Sequence, residues 1–195
     1  MTSGRAEDFL SIAYPGAGDI GAAASIAAAR IRERFGGARS VGPAEVDVVG
    51  ISMGGLVARV LAAGLAGSEP IPVRIRRLFT LATPHRGAKL AALIAPDRAS
   101  RDMRTGSAVL ADLDRRLAGA DLELVCYAQL RDWWVGASRT APPGHAPVWV
   151  DTEGVPQHAF SHFLINFNRR VLRDIARRLR GEEPVSRRGS APPSD

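Results

Sequence analysis

Short runs of β-branched and apolar residues alternate along the chain with longer segments in which apolar residues recur at helical spacing. Residues 46–49, 75–82 and 122–127 are typical of strands buried in a parallel sheet. Residues 20–35, which precede the first of these runs, and residues 56–65, which separate the first two, carry apolar positions at the period of an amphipathic helix. The alternation predicts an α/β fold, with a mostly parallel sheet and helices on both faces.

The remaining segments give weaker patterns. Residues 9–14 predict a further strand that ends at the turn Pro15-Gly16, and residues 163–179 predict a final amphipathic helix. Residues 88–117 are helical but irregular, which predicts a cap-like segment, and residues 182–195 are rich in Pro, Ser and Arg, which predicts a disordered tail. We therefore expect one domain over residues 1–181.

Composition and charge exclude several classes of protein. The apolar content of 46% is that of a globular chain, and much of the net charge of +6 falls in the last helix and the tail. These arginines share their helix with an apolar stripe and have no aromatic stacking partners, so we expect no nucleic-acid site. No apolar run is long enough to span a membrane and no signal-peptide profile opens the chain, which predicts a cytoplasmic protein.

The segment Gly50-Ile51-Ser52-Met53-Gly54 carries the clearest chemistry in the sequence. It follows a strand of the buried type and opens a helix, and in that context a sharp turn exposes the serine hydroxyl at the carboxyl edge of a sheet. The helix that follows directs backbone N–H groups at the same place, so the N–H of Met53 is the expected oxyanion donor. The alternative is a structural Gly/Ser turn without chemistry.

Two stretches resemble a known family. Residues 46–59 look like the nucleophile turn of bacterial triacylglycerol lipases and related esterases, and residues 78–87 resemble the strand and loop that follow it. The resemblance implies an α/β-hydrolase fold and a serine hydrolase that cleaves carboxylic esters through an acyl-enzyme, without a cofactor. It also implies that His85, in the loop Thr-Pro-His-x-Gly, is not the catalytic base.

A serine nucleophile needs a histidine base, and the histidine needs a carboxylate that orients it. In this fold the chain order is serine, acid, histidine. Asp132 follows the last clear strand and stands in a stretch that resembles the acid loop of small lipases, so it is the expected acid. Asp151 and Glu153 are the alternatives. The adjacent Trp133 and Trp134 fit a pocket wall and a core position equally well.

Position in the chain selects the base. His162 stands at the entry to the final helix, where lipase-like sequences place the catalytic histidine; His158 is the alternative, and His145 fits a loop position. A zinc site is not expected, because His158 and His162 do not lie on a convincing helix with a glutamate between them.

The resemblance covers roughly residues 11–179 and lacks the first strands of the family, including the loop that supplies a second oxyanion donor. We therefore expect a shortened α/β-hydrolase fold, with an exposed sheet edge at residues 9–14 through which the protein self-associates. The small-molecule or lipid ester is the expected substrate. Two other functions remain open: a non-catalytic or incomplete hydrolase-like binding protein, and an acyltransferase or thioesterase that uses the same triad.

Overall fold

A computed structural model describes residues 9–37, 42–90, 98–149 and 161–185. Its centre is a four-stranded parallel sheet in the order β1-β2-β3-β4. Because all four strands run in the same direction, their carboxyl ends meet at one edge of the sheet, and the segments that follow them can share a site. The strands are β1 Ala44–Ile51, β2 Val73–Leu81, β3 Glu123–Ala128 and β4 Val148–Trp149.

Six α-helices and two 3₁₀ turns lie in the described ranges. The carboxylate of Asp19 accepts the N–H of Ala22 and caps the first helix, and the side chain of Asn168 caps the last one. The helix predicted over residues 163–179 is therefore broken near its start. The helices are α1 Ile20–Phe35, α2 Met53–Ala62, α3 Arg98–Asp102, α4 Ala108–Leu117, α5 Ser161–Leu164 and α6 Arg169–Leu179, and the 3₁₀ turns are Ala137–Arg139 and Ile165–Phe167.

The sheet separates two apolar cores. On one face, Leu78 of β2 packs with the buried sides of α1, α2 and α4. On the other face, Phe79 of β2 and Tyr127 of β3 pack with α6. Successive residues of a strand point to opposite faces, so β2 supplies both cores. The predicted parallel sheet with helices on both faces is confirmed.

The strand expected over residues 9–14 is not formed, and this expectation was wrong. An extended segment becomes a strand only when a neighbour accepts its backbone hydrogen bonds, and within the described residues none pairs with this one. The segment and β1 instead border an apolar groove of about 490 Å³. Among the described strands, β1 therefore forms one edge of the sheet, and its residues Val49 and Ile51 are 47% and 43% exposed.

The segment predicted as a cap lies partly outside the described residues, at 91–97. In its described part, Leu110 and Leu113 of α4 are buried in the first core rather than lining a pocket. The predicted tail is described only as far as residue 185. In the described part of the chain, none of the helices has the length and apolar character that a membrane crossing requires.

Candidate active site

The turn between β1 and α2 holds Ser52 in an unusual backbone conformation. Its φ of 51° and ψ of −125° lie where a residue with a side chain is strained, at a cost of about 1–3 kcal/mol. Two neighbours hold it there. The N–H of Ser52 donates to the carbonyl of Leu81 at 2.8 Å, and the hydroxyl of Thr83 donates to the carbonyl of Ser52, also at 2.8 Å.

Close backbone packing explains why the residue two positions before Ser52 is a glycine, Gly50. A Cβ placed on Gly50 would lie 2.6 Å from the Cα of Gly55, which is closer than real side chains approach. The strand and the helix can therefore meet at so sharp an angle only with glycine at that position. The serine is thereby carried out of the sheet at its carboxyl edge.

The structure brings Ser52, His162 and Asp132 together from three distant parts of the chain. The Nε2 of His162 lies 2.8 Å from the Oγ of Ser52, and its Nδ1 lies 2.8 Å from the Oδ2 of Asp132. Ser52 comes from the β1–α2 turn, Asp132 from the loop after β3, and His162 from the short helix α5. The side chains form one continuous line of hydrogen bonds from hydroxyl to carboxylate.

Asp132 is oriented by its own loop. Its Oδ1 accepts the backbone N–H groups of Trp134 at 2.9 Å and Val135 at 3.1 Å, and the residue is 1% exposed. Its Oδ2 remains for the imidazole. Because a carboxylate can only accept, the Nδ1 of the histidine carries the proton and the lone pair of Nε2 faces the hydroxyl of Ser52. That tautomer lets the imidazole accept the serine proton.

Two aromatic rings surround the imidazole of His162. Trp134 stacks on it with ring centroids 6.2 Å apart, and Phe163 meets it edge to face at 5.1 Å. His162 is 4% exposed. The hydroxyl of Ser161, its neighbour, donates to the carbonyl of Arg131 at 2.8 Å and so ties the histidine's turn to the loop of the acid. Packing and this bond both restrict the ring.

A cleft of about 170 Å³ opens beside this group, and Ser52 and His162 both line it. Trp134 is one of its walls, whereas Trp133 points elsewhere and is 52% exposed. The sequence did not decide whether Trp133 and Trp134 line a pocket or fill the core; Trp134 lines the pocket. The remaining lining residues are Pro84, Ala88, Ser100, Met103, Val135 and Phe163.

The expected oxyanion donor, Met53, is the first residue of α2. A helix leaves its first N–H groups without partners within the helix, so the N–H of Met53 is available at the serine turn. The positive end of the helix dipole lies at the same place. The hydroxyl of Tyr14 lies nearby, 3.0 Å from the position that a Cβ on Gly54 would take.

His85 is held in a separate buried cluster. Its Nε2 lies 2.9 Å from the hydroxyl of Thr80, and its Nδ1 lies 3.3 Å from a guanidinium nitrogen of Arg59. Arg59 also donates to Asp114 at 2.7 Å. Burial, followed by the positive charge of Arg59, holds the pKa of His85 well below its ordinary value. Both ring nitrogens of His85 thus face groups other than Ser52.

The alternative residues are not brought to this site by any described contact. His158, Asp151 and Glu153 lie outside the described residues. His145 is exposed, with its Nδ1 3.4 Å from the carbonyl of Pro143. Over the described ranges, no group of three or more His, Cys, Asp and Glu side chains is placed to hold a metal ion.

Two contacts of this site were not anticipated from the sequence. Thr83 holds the carbonyl of Ser52 across 31 positions of the chain, and Ser161 holds the carbonyl of Arg131 across 30. A hydrogen bond from a hydroxyl to a carbonyl that is distant in the chain produces no periodic pattern in the sequence. The position of Thr83 directly after a strand that adjoins β1 was the one available clue.

Two comparisons with known proteins found similarities to this chain. The model of the PGAP1-like alpha/beta domain family matches residues 26–95, which is less than half of the chain and includes the Ser52 turn. Among solved structures, the chain is similar to the mature form of Bacillus licheniformis lipase BlEst2, with a TM-score of 0.40 and 19% sequence identity. That match covers 57% of this chain and 49% of the lipase chain.

No curated protein shows significant similarity to the chain. The PGAP1-like family is of the α/β-hydrolase type, and its match contains the strained serine turn between a parallel strand and a helix. The matched residues 26–95 are thus similar to an α/β-hydrolase-type domain, and the parallel sheet with helices on both faces has the architecture of that fold.

Proposed function

We propose that the protein is a serine hydrolase that cleaves carboxylic esters, with Ser52 as nucleophile, His162 as base and Asp132 as the acid that orients the base. One observation carries the proposal: the unbroken line of hydrogen bonds from the serine hydroxyl through both nitrogens of the imidazole to a buried carboxylate. A serine hydroxyl is a poor nucleophile until a base in such a position takes its proton.

The proposed reaction has two halves. In the first, His162 accepts the proton of Ser52 while Oγ forms a bond to the ester carbonyl carbon, and the carbonyl oxygen becomes negatively charged. The protonated imidazole then gives the proton to the leaving alcohol, the ester C–O bond breaks, and an acyl-enzyme remains. In the second half, water gives its proton to His162 and attacks the acyl-enzyme, which releases the carboxylic acid and restores Ser52.

The backbone of the Ser52 turn supports the charged step. The N–H of Met53 lies at the start of α2, where the unpaired N–H groups and the helix dipole favour negative charge. We propose that this N–H binds the oxyanion. Removal of one donor of this kind costs an enzyme about 10²–10³-fold in rate, so the contribution is large.

The proposal is tested with a fluorophosphonate probe and a short aryl ester. The probe should label Ser52, and Ser52→Ala should abolish labelling and lower turnover about 10⁴-fold or more. Ser25→Ala is the matched control, because Ser25 is exposed on α1 and its hydroxyl only bonds the carbonyl of Gly21. Turnover that persists in Ser52→Ala would refute the role of Ser52.

The histidine assignment needs its own comparison. His162→Ala should remove turnover, whereas His145→Ala, at an exposed loop position, should retain it. His158→Ala distinguishes the alternative base, since only one histidine can take the proton of Ser52. Loss of activity with His158→Ala but not with His162→Ala would reverse the assignment. Labelling without ester turnover would instead favour an acyltransferase or thioesterase, and absence of labelling would favour a non-catalytic binding protein.

A further inference from the structure

The cleft beside Ser52 is small for a ligand site. Ser52 and His162 both line it, so the acyl group of a bound ester has direct access to it from the reacting carbonyl. Its volume is about 170 Å³. Pockets for drug-sized ligands have volumes of about 300–1,000 Å³, whereas an apolar cavity of about 150 Å³ holds benzene, which has six carbons. The cleft therefore has room for a group of about that size.

The walls of the cleft are suited to hydrocarbon. Met103, Trp134, Val135 and Phe163 present apolar side chains, and no carboxylate, lysine or arginine is among the described lining residues. An apolar cleft favours an alkyl or aryl group over a charged one, because a charge would lose its hydration without gaining a partner. The part of the ester that enters this cleft should therefore be the hydrocarbon of the acyl group.

The wall that carries Met103 is attached to the rest of the fold by backbone hydrogen bonds. The carbonyl of Met103 accepts the N–H of Ala88 at 2.9 Å, and the N–H of Ala99, on the helix α3 that ends just before Met103, donates to the carbonyl of Gly18 at 3.1 Å. These bonds join α3 to the loop after β2 and to the turn before α1. Enlargement of the cleft along this wall would break them, so its size limits the chain that fits.

We propose that the site selects esters with a short acyl chain, of up to about six carbons. This inference rests on the proposed function. Each methylene that enters the cleft should raise kcat/KM by about fourfold, and the gain should stop when the cleft is full. Longer chains can enter the cleft only by displacing the Met103 wall, and they therefore lose activity.

The experiment measures kcat/KM for p-nitrophenyl esters with acyl chains of increasing length, from acetyl to palmitoyl, at concentrations below their aggregation limits. We expect a maximum of kcat/KM at about four to six carbons and at least a tenfold lower value at about twelve. A loss equal to the contributions of two methylenes, at about fourfold each, exceeds tenfold. Met103→Ala should move the maximum to longer chains. Met103→Leu is the control, because its volume is nearly conserved and the maximum should stay in place.

A second variant and a second readout keep the test decisive. Phe163 is 47% exposed, so Phe163→Ala should fold and should also shift the maximum to longer chains. The rate at which butyl and dodecyl phosphonates label Ser52 gives the same preference from a single bond-forming event. A maximum at twelve carbons or more, or a flat profile, would overturn the short-chain inference alone. Absence of both turnover and labelling at every chain length would overturn the proposed function and this inference with it.

Discussion

Two buried histidines in this protein have nearly the same surroundings and opposite chemistry. His162 and His85 are both almost fully buried, and each has a hydroxyl beside Nε2 and a charged side chain beside Nδ1. The charged partner is Asp132 for His162 and Arg59 for His85. The sign of that partner decides what the imidazole can do.

The difference follows from which group must donate. A guanidinium can only donate, so the Nδ1 of His85 accepts and its Nε2 keeps the proton that faces Thr80. A carboxylate can only accept, so the Nδ1 of His162 keeps the proton and the lone pair of its Nε2 faces the hydroxyl of Ser52. The sequence places a histidine after strand β2 and another before α6, but only the neighbouring charge makes one of them suitable for catalysis.

Asp132→Asn should remove the difference between the two histidines, and it should have the largest effect on activity. The amide can donate to Nδ1, which would turn the tautomer of His162 into that of His85 and direct a proton at Ser52. A comparable change in a serine triad lowers kcat by about 10⁴-fold. Steady-state kinetics with a short ester measure the loss, and circular dichroism checks the fold. Retention of more than a tenth of the activity would show that Asp132 does not set the tautomer.

The pH dependence of activity is the next test. Activity should fall as the medium becomes acidic, because a protonated His162 cannot accept the proton of Ser52. The loss should approach about tenfold per pH unit once the base is mostly protonated. A profile of kcat/KM between about pH 5 and pH 8 measures it. An activity that is constant over this range would contradict a histidine base.

His85 should affect stability rather than activity. Its pKa is lowered in the folded protein, so below the ordinary histidine value the unfolded chain binds more protons and the folded state loses stability. The free energy of unfolding should therefore decrease as the pH falls from about 7 to about 5. Urea unfolding of the wild type and His85→Gln measures it, and the variant should lack this part of the dependence. An equal dependence in both proteins would show that His85 titrates normally.

Thr83 should have a smaller effect, on the geometry of Ser52 alone. Thr83→Val keeps the shape of the side chain but removes the hydroxyl that bonds the carbonyl of Ser52. Because that bond helps to hold the strained turn, we expect kcat to fall about tenfold, which corresponds to about 1.4 kcal/mol. Thr83→Ser should restore it. An unchanged kcat in Thr83→Val would mean that the bond of Leu81 to the turn is sufficient.

The smallest effect on chemistry is expected from the exposed edge of the sheet. We propose that the protein self-associates through β1, where Val49 and Ile51 are exposed. Val49→Lys should lower the solution mass of the protein without changing kcat, because both histidine clusters lie elsewhere. Phe167→Lys, at a residue that is 76% exposed outside the sheet, is the matched control. A mass that is the same for all three proteins would exclude β1 as the contact.

The sequence was sufficient to predict the elements that depend on residues close in the chain. A β-branched run before Gly50 and a helical pattern after Ser52 predicted the strand, the turn and the helix, because each depends on residues close in the chain. It was insufficient at residues 9–14, which have the composition of a strand but pair with none of the described strands. It also missed the break at Asn168, where a side chain caps a new helix within an apparently continuous apolar pattern.

For the candidate site, the sequence by itself determined the residue types, their order and their places at the ends of strands. Ser52 and Asp132 were proposed because they follow strands whose carboxyl ends meet at one edge of the sheet, and His162 was proposed because the resemblance to lipases places the base before the final helix. Only the tertiary structure decided which charge stands beside each histidine, which tryptophan walls the cleft and how large the cleft is. Those properties depend on contacts between residues 26 to 110 positions apart, such as those of Arg59 with His85 and of His162 with Ser52, and no local pattern records them.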